Sequence, residues 1–192
     1  MFMEGRQITD AVLIANEATY SILKSNEGAI LCKVDIEKVY DHVEWSFLLS
    51  VMEKMGFGEK WLRWIKWCLT IASFSILVNG TSSSFFQSSR GLRQGDPLSP
   101  YLFVIPMEAL SCLLRRAVCG GFLSTCQVRG RGRERVKVSH LLFADDTLIF
   151  YEAREKQMMF LRWLLMWFEA ISGLRVNMDK SELIPLGRVK NV

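Results

Sequence analysis

Apolar residues recur along this chain at two spacings, and the alternation between them divides it into helices and strands. Val12, Leu13, Ala15 and Ile22 form a rough helical stripe running to about Leu23, with Asp10 placed to cap it. Asn26-Glu27-Gly28 turns the chain, and Ala29 to Val34 is an apolar run of strand length that delivers Lys33 and Asp35 at its end. Val43, Phe47, Leu48, Val51 and Met55 return to helical spacing, closed by Gly56 and Gly58. Trp61, Leu62, Trp64, Ile65 and Cys68 mark the next helix, and the spacing of Trp61, Trp64 and Trp67 predicts a face packed into the core rather than a stacking platform.

Further on, Ser73 to Asn79 reads as a strand, Asn79-Gly80 as a turn and Phe85 to Ser88 as its returning partner. After a Gly- and Pro-rich loop from Arg90 to Pro100, the residues from Leu102 to Leu114 are apolar almost all round, which predicts a buried helix. Residues 127–138 alternate, with Arg129, Arg131, Arg133, Arg135 and Lys137 at odd positions, as in a hairpin with one basic face. Val138 to Ala144 and Thr147 to Tyr151 are β-type runs separated only by Asp145-Asp146, so both carboxylates fall in a tight turn between antiparallel strands. A helix from about Arg154 to Ile171 ends at Ser172-Gly173, and a short strand from Leu174 to Met178 leads to Lys180.

Composition narrows the class. A chain of 192 residues that is 50% apolar buries one substantial core and predicts a single domain. The net charge of +4 is modest but concentrated between Arg129 and Lys137, where Glu134 is the one opposing charge. Such a block is either a solvated face or a phosphate contact. The five cysteines contain no CxxC and no Cys/His pair, which excludes a disulfide framework and a zinc site and implies a reduced, intracellular compartment. Charges or prolines interrupt both greasy stretches, Trp61 to Val78 and Leu98 to Leu114, so no membrane partner is expected. The opening MFMEGRQITD has no secretion signal and reads as mid-domain. His42 and His140 sit in no hydrolase pattern.

The aspartates carry the chemistry. Asp35 closes one apolar strand, and Asp145-Asp146 occupies a hairpin turn 110 residues later. If the two strands lie side by side, three carboxylates converge at one sheet edge, where their repulsion is relieved by divalent cations. Two such ions about 3.5–4 Å apart activate a hydroxyl and stabilise the leaving pyrophosphate of an in-line displacement, which is nucleotidyl transfer. Taken singly, Asp-Asp is also a common turn dipeptide and Asp35 an ordinary strand-end residue.

In combination the motifs resemble the reverse transcriptase domain of non-LTR (LINE-type) retrotransposons, particularly plant ones. GRQITDAVLIANE resembles the family's fingers-side motif, KVDIEKVYDHVEW its first aspartate motif and RGLRQGDPLSPYLF its template-and-nucleotide loop and helix. SHLLFADDTLIF resembles the family's Tyr-x-Asp-Asp box, with Phe143 in the aromatic place, and SGLRVNMDKSE the motif that follows. The order and spacing match over nearly the whole chain.

The resemblance implies RNA-directed DNA polymerase activity on an RNA template, a DNA primer and dNTPs, with no protein partner evident, and two Mg2+ ions that Mn2+ can replace. Asp35 and Asp145 would be the principal metal ligands, and Asp146 would complete the acidic cluster. Tyr40 falls where the family places an aromatic ring beneath the incoming sugar, although relatives carry Phe there, preceded by Ala where this chain has Val39. Gln94 and Gly95 would meet the nascent base pair, Arg93 the template or phosphates, Lys180 the departing pyrophosphate, and Arg6 the template or triphosphate. The implied fold is α+β: an antiparallel palm sheet of ferredoxin-like topology over 1–192, helices on one face and carboxylates on the other, with partial fingers, the thumb absent and both ends truncated. Two other readings stay open: a retroelement relic that binds nucleic acid without catalysis, and a viral-type RNA polymerase, against which Tyr40 argues. The family's habit of priming on chromosomal DNA points to the nucleus, without excluding the cytoplasm.

Overall fold

A computed structural model describes residues 8–25, 28–129, 135–143 and 146–189. The chain starts with α1 (Ile8–Ser25), β1 (Ala29–Glu37), α2 (Trp45–Lys54) and α3 (Glu59–Thr70). Four short strands follow: β2 (Ser73–Phe74), β3 (Leu77–Val78), β4 (Thr81–Ser82) and β5 (Phe86–Gln87). After α4 (Ser99–Cys119) come β6 (Cys126–Arg129), β7 (Arg135–Val138), β8 (His140–Phe143) and β9 (Asp146–Glu152). The last elements are α5 (Glu155–Ser172), β10 (Arg175–Val176) and β11 (Glu182–Leu186). They form two compact units, one of Met1–Glu37, Leu110–Glu169 and Arg175–Val192, the other of Lys38–Ala109 and Ala170–Leu174.

The first unit is organised around β1. One side of this strand pairs with β9, which pairs with β8; the other side pairs with β11 along its first half and β10 at its end, all antiparallel. Because side chains alternate along a strand, the sheet has two distinct faces. On one, Ile30, Cys32, Val34, Ile36, Ile149 and Tyr151 are buried. His140, opposite Ile149 in the register, bonds from this face to Ser111 of α4 at 2.8 Å. On the other face, Ala29, Leu31, Leu148 and Phe150 pack with Ala18 and Ile22 of α1 and with Cys126 and Val138 of the β6–β7 ribbon. Burying a side chain such as Phe150 stabilises the unit by roughly 1.5–3 kcal/mol.

That second face also carries the carboxylates, since Asp35 falls in the same alternation as Ala29, Leu31 and Lys33 along β1. The expected division, helices on one face and carboxylates on the other, is therefore corrected: the carboxylate face also carries α1, because Ala29, Leu31, Leu148 and Phe150 on it are apolar and pack with Ala18 and Ile22.

Other boundaries move for identifiable reasons. β1 runs to Glu37, not Val34, since Ile36 and Glu37 gain partners in β10, and Asp35 lies inside the strand. Asp10 sits in the first turn of α1 rather than capping it, where its charge still complements the helix dipole. The expected strand from Leu174 to Met178 shrinks to two residues, because residues 177–181 turn. β11 has no counterpart in the hydrophobic pattern: four of its five residues are exposed, and Pro185 argues against a strand unless it lies at an edge.

In the second unit, Asn79 and Gly80 both have positive φ, as the tightest hairpins require, and join β3 to β4. The returning segment pairs as expected, Phe86–Gln87 with Ser73–Phe74, while β3 and β4 form a separate tight hairpin beyond them. α4 starts at Ser99; the expected buried stretch, Leu102 to Leu114, is buried or half-buried except at Cys112, while Tyr101, Arg115 and Arg116 outside it are exposed. The tryptophans of α3 are also surface residues, with Trp61, Trp64 and Trp67 at 45%, 53% and 62% exposure, and Ile65 supplies the buried contact. Among the described residues no helix is long and apolar enough to cross a membrane.

Candidate active site

The sheet builds a carboxylate pair. In the β1–β9 ladder Asp35 stands directly opposite Asp146, and Asp146 in turn stands opposite Phe143 of β8, so the three share one face. Lys33, two residues before Asp35, lies on the same face, and its Nζ is 3.5 Å from Asp146 Oδ1. That oxygen is enclosed and accepts no hydrogen bond. An enclosed carboxylate oxygen without a donor, facing one ammonium and a second carboxylate, is a donor set suited to a hard divalent cation. Asp145 and Arg6 lie outside the described residues, and among the described residues no three acidic, His or Cys side chains gather as a complete metal cluster.

Asp35 is held in place from its open edge. Asn177 N–H donates to Asp35 O at 2.8 Å, and Asp35 N–H donates to Ser181 Oγ at 3.2 Å. Ser181 Oγ then donates to Asn177 O at 2.6 Å, while Asn177 Oδ1 accepts from the Asp179 and Lys180 amides. The turn that carries Lys180 is thus bonded to the backbone of Asp35, and Lys180 itself is exposed. Sequence reasoning named Lys180 but not Asn177 or Ser181, whose roles depend on a turn invisible to hydrophobic periodicity. Lys33 was legible, because strand residues two apart share a face.

In the second unit the remaining candidates also fall together. Tyr40 lies in the turn after β1, half-buried, with its ring 5.6 Å from that of Phe103. The RGLRQGD loop is fastened to this turn: Leu92 N–H donates to Tyr40 O, Gly91 N–H to Val43 O at 2.8 Å and the Trp45 indole to Gly91 O at 2.7 Å. Gly91 has φ +86, and a Cβ there would lie 2.7 Å from Asp41 O, so only glycine permits this approach. Beyond the fastening, Arg93, Gln94 and Gly95 are exposed, and the Arg93 guanidinium lies over the Phe74 ring at 5.6 Å. They line a groove of about 760 Å³ with Cys68 and Leu69 of α3. Asp96 ends the loop, its Oδ1 accepting from Leu98 N–H at 2.8 Å ahead of α4.

The basic hairpin forms at β6 and β7, with Arg129 opposite Arg135 and Gln127 opposite Lys137 in the register; its tip, residues 130–134, lies outside the described residues.

Comparison with known proteins agrees with this architecture. A family described as reverse transcriptase (RNA-dependent DNA polymerase) matches residues 1–188. The chain is 26% identical over 191 residues to the transposon TX1 uncharacterized 149 kDa protein of Xenopus laevis, covering 97% of this chain and 14% of that protein. It is 30% identical over 129 residues to the Pol polyprotein of the type-1 retrotransposable element R2 of Nasonia vitripennis, covering 67% of this chain and 12% of the polyprotein. Telomerase from Candida tropicalis, solved with a fragment of telomeric RNA, superimposes with a TM-score of 0.68 at 13% identity, over 92% of this chain and 29% of that one. The chain therefore spans a small part of each relative's length and shares the polymerase palm-like fold.

Proposed function

The chain belongs to the reverse transcriptase family, and on that footing we propose that it is the fingers and palm core of a non-LTR retrotransposon polymerase that copies RNA into DNA. The observation that carries this reading is the Asp35–Asp146 pair, two like charges set opposite each other on one face, with Asp146 Oδ1 enclosed, without a hydrogen bond and 3.5 Å from Lys33 Nζ.

Asp35 and Asp145, with Asp146 completing the acidic cluster, would hold two Mg2+ ions, or Mn2+ in their place. Bound there, such ions supply an activated primer 3′-hydroxyl and charge neutralisation for the leaving pyrophosphate. The protein's own residues do the positioning. The bonds from Asn177 and Ser181 hold the Asp35 backbone still, so its carboxylate is aimed before substrate arrives. Lys33 offsets the charge of Asp146 until then. Tyr40 offers a flat ring to the sugar of the incoming deoxynucleotide, and its turn is fixed to the loop whose Gln94 and Gly95 meet the nascent pair. Arg93 and Arg6 contact template or triphosphate, and Lys180 sits at the leaving-group side as a proton donor.

The test is extension of a DNA primer on an RNA template by the purified chain with Mg2+ and dNTPs. Elongation that disappears in Asp35→Asn and Asp146→Asn is expected. Salt-sensitive binding of the hybrid with no elongation by the wild-type chain would identify a nucleic-acid-binding relic instead.

A further inference from the structure

Helix α3 presents a surface that the proposed chemistry leaves unused. Trp61, Trp64 and Trp67 recur every third residue and expose 45%, 53% and 62% of their surface, while Lys60, Arg63 and Lys66 alternate with them and are also exposed. On a helix, residues three apart are neighbours, so the indoles form one slanting stripe bordered by the cations. The Trp61 and Trp64 rings are 6.0 Å apart, and Lys60 Nζ lies 5.0 Å from the centroid of Trp64. Three large indoles left in water on a short helix are costly unless something covers them.

Charge and continuity indicate what covers them. The helix has three cations and one carboxylate, Glu59, so its occupant is anionic. Flat rings interleaved with cations suit a strand whose bases stack and whose phosphates are paired, and stacking tolerates any base because each has a π-face. The C-terminal half of α3 also lines the groove that holds Arg90, Arg93 and Gln94, with Cys68 and Leu69 on its wall. A single strand seated at the RGLRQGD loop therefore meets α3 at Cys68, the residue next to Trp67.

We infer that the Trp61–Trp64–Trp67 face of α3 is a binding platform for single-stranded RNA, additional to the carboxylate site. The platform works without divalent cations and does not depend on the polymerase reading, so binding is measured in EDTA, where catalysis is silent.

The experiment is fluorescence anisotropy of a labelled single-stranded oligoribonucleotide titrated with the full chain across a salt series. Trp64→Ala/Trp67→Ala should weaken binding at least about tenfold, while Trp64→Phe/Trp67→Phe, which keeps flat rings, stays within about threefold of wild type. Lys60→Gln/Lys66→Gln should reduce the slope of log affinity against log salt by about 1.4, two phosphate contacts at roughly 0.7 each. Thermal melting should be unchanged in all three, since the substituted side chains are exposed. Equal affinity in wild type, the Ala pair and the Gln pair would overturn the inference. So would Trp substitutions that leave RNA binding intact but abolish adsorption to phosphatidylserine vesicles or self-association of the chain.

Discussion

Asp35 and Asp146 face each other across the β1–β9 ladder, side by side on one face of the sheet. Like charges directly opposite in an antiparallel pair cost roughly 0.2–1 kcal/mol. Removing one should therefore make the cation-free chain as stable as wild type, or up to about 1 kcal/mol more so, while primer extension falls by roughly two orders of magnitude or more. Urea unfolding of Asp35→Asn in EDTA, beside its extension rate, checks both. A variant that loses stability and activity together would make Asp35 a structural residue.

Lys33 touches the same pair through Asp146. Its contact with Asp146 joins side chains 39% and 36% exposed, a setting in which solvent reduces an ion pair to less than about 1 kcal/mol. Lys33→Met should change stability by no more than that. Without its cation the carboxylates should bind metal more tightly, so half-maximal extension should need several-fold less Mg2+. An unchanged Mg2+ requirement would mean that Lys33 does not compete for the site.

His140 makes the first unit acid-sensitive. Burial, helped by the Arg115 guanidinium, pushes its pKa down from 6.5 to about 4, while Ser111 and Ser139 hydroxyls lie 2.8 Å from its two ring nitrogens. Because the folded pKa is depressed, the neutral ring's stabilisation is complete above pH 6.5 and is lost as pH falls from there towards 4. The loss should reach about 2 kcal/mol at pH 5, measured by urea unfolding against pH 7. His140→Asn should flatten this dependence, and an undiminished slope in the variant would assign it elsewhere.

Gly173 tests the packing of the second unit. It has φ +75, and a Cβ there would lie 2.5 Å from His42 O, beside the bond from Glu44 N–H to Ser172 O at 2.9 Å. Gly56 has φ +89 but open space around it. Gly56→Ala therefore carries only the conformational cost, about 1–3 kcal/mol, whereas Gly173→Ala adds a clash with backbone. Melting should fall by several degrees more in Gly173→Ala, and equal losses would show that the His42 contact yields freely.

The parts of this fold that were legible in the sequence are those where side-chain pattern and backbone pairing coincide. The apolar runs flanking Asp145-Asp146 and preceding Asp35 became adjacent strands because each could bury a face only against the other. Strand periodicity placed Lys33 beside Asp35, though its contact with Asp146 was not foreseen. What escaped notice depends on partners distant in the chain. β11 is held by backbone bonds to β1 although its side chains are exposed, and the Asn177–Ser181 turn reveals itself only once Asp35 is beside it. The α3 tryptophans were expected in the core because apolar spacing shows that a stripe exists but not what lies against it. Buried Ile65, with half-buried Leu62 and Leu69, supplies the inward side of the helix, and the stripe is left to solvent.

Mn2+ binding to the purified chain, followed by loss of the free-ion EPR signal, tests most directly whether Asp35 and Asp146 form one cation site. The expected result is saturable binding in wild type that weakens at least about tenfold in Asp35→Asn and in Asp146→Asn, with both variants folded. Equal Mn2+ affinity in all three proteins would contradict the assignment of the pair as a cation site.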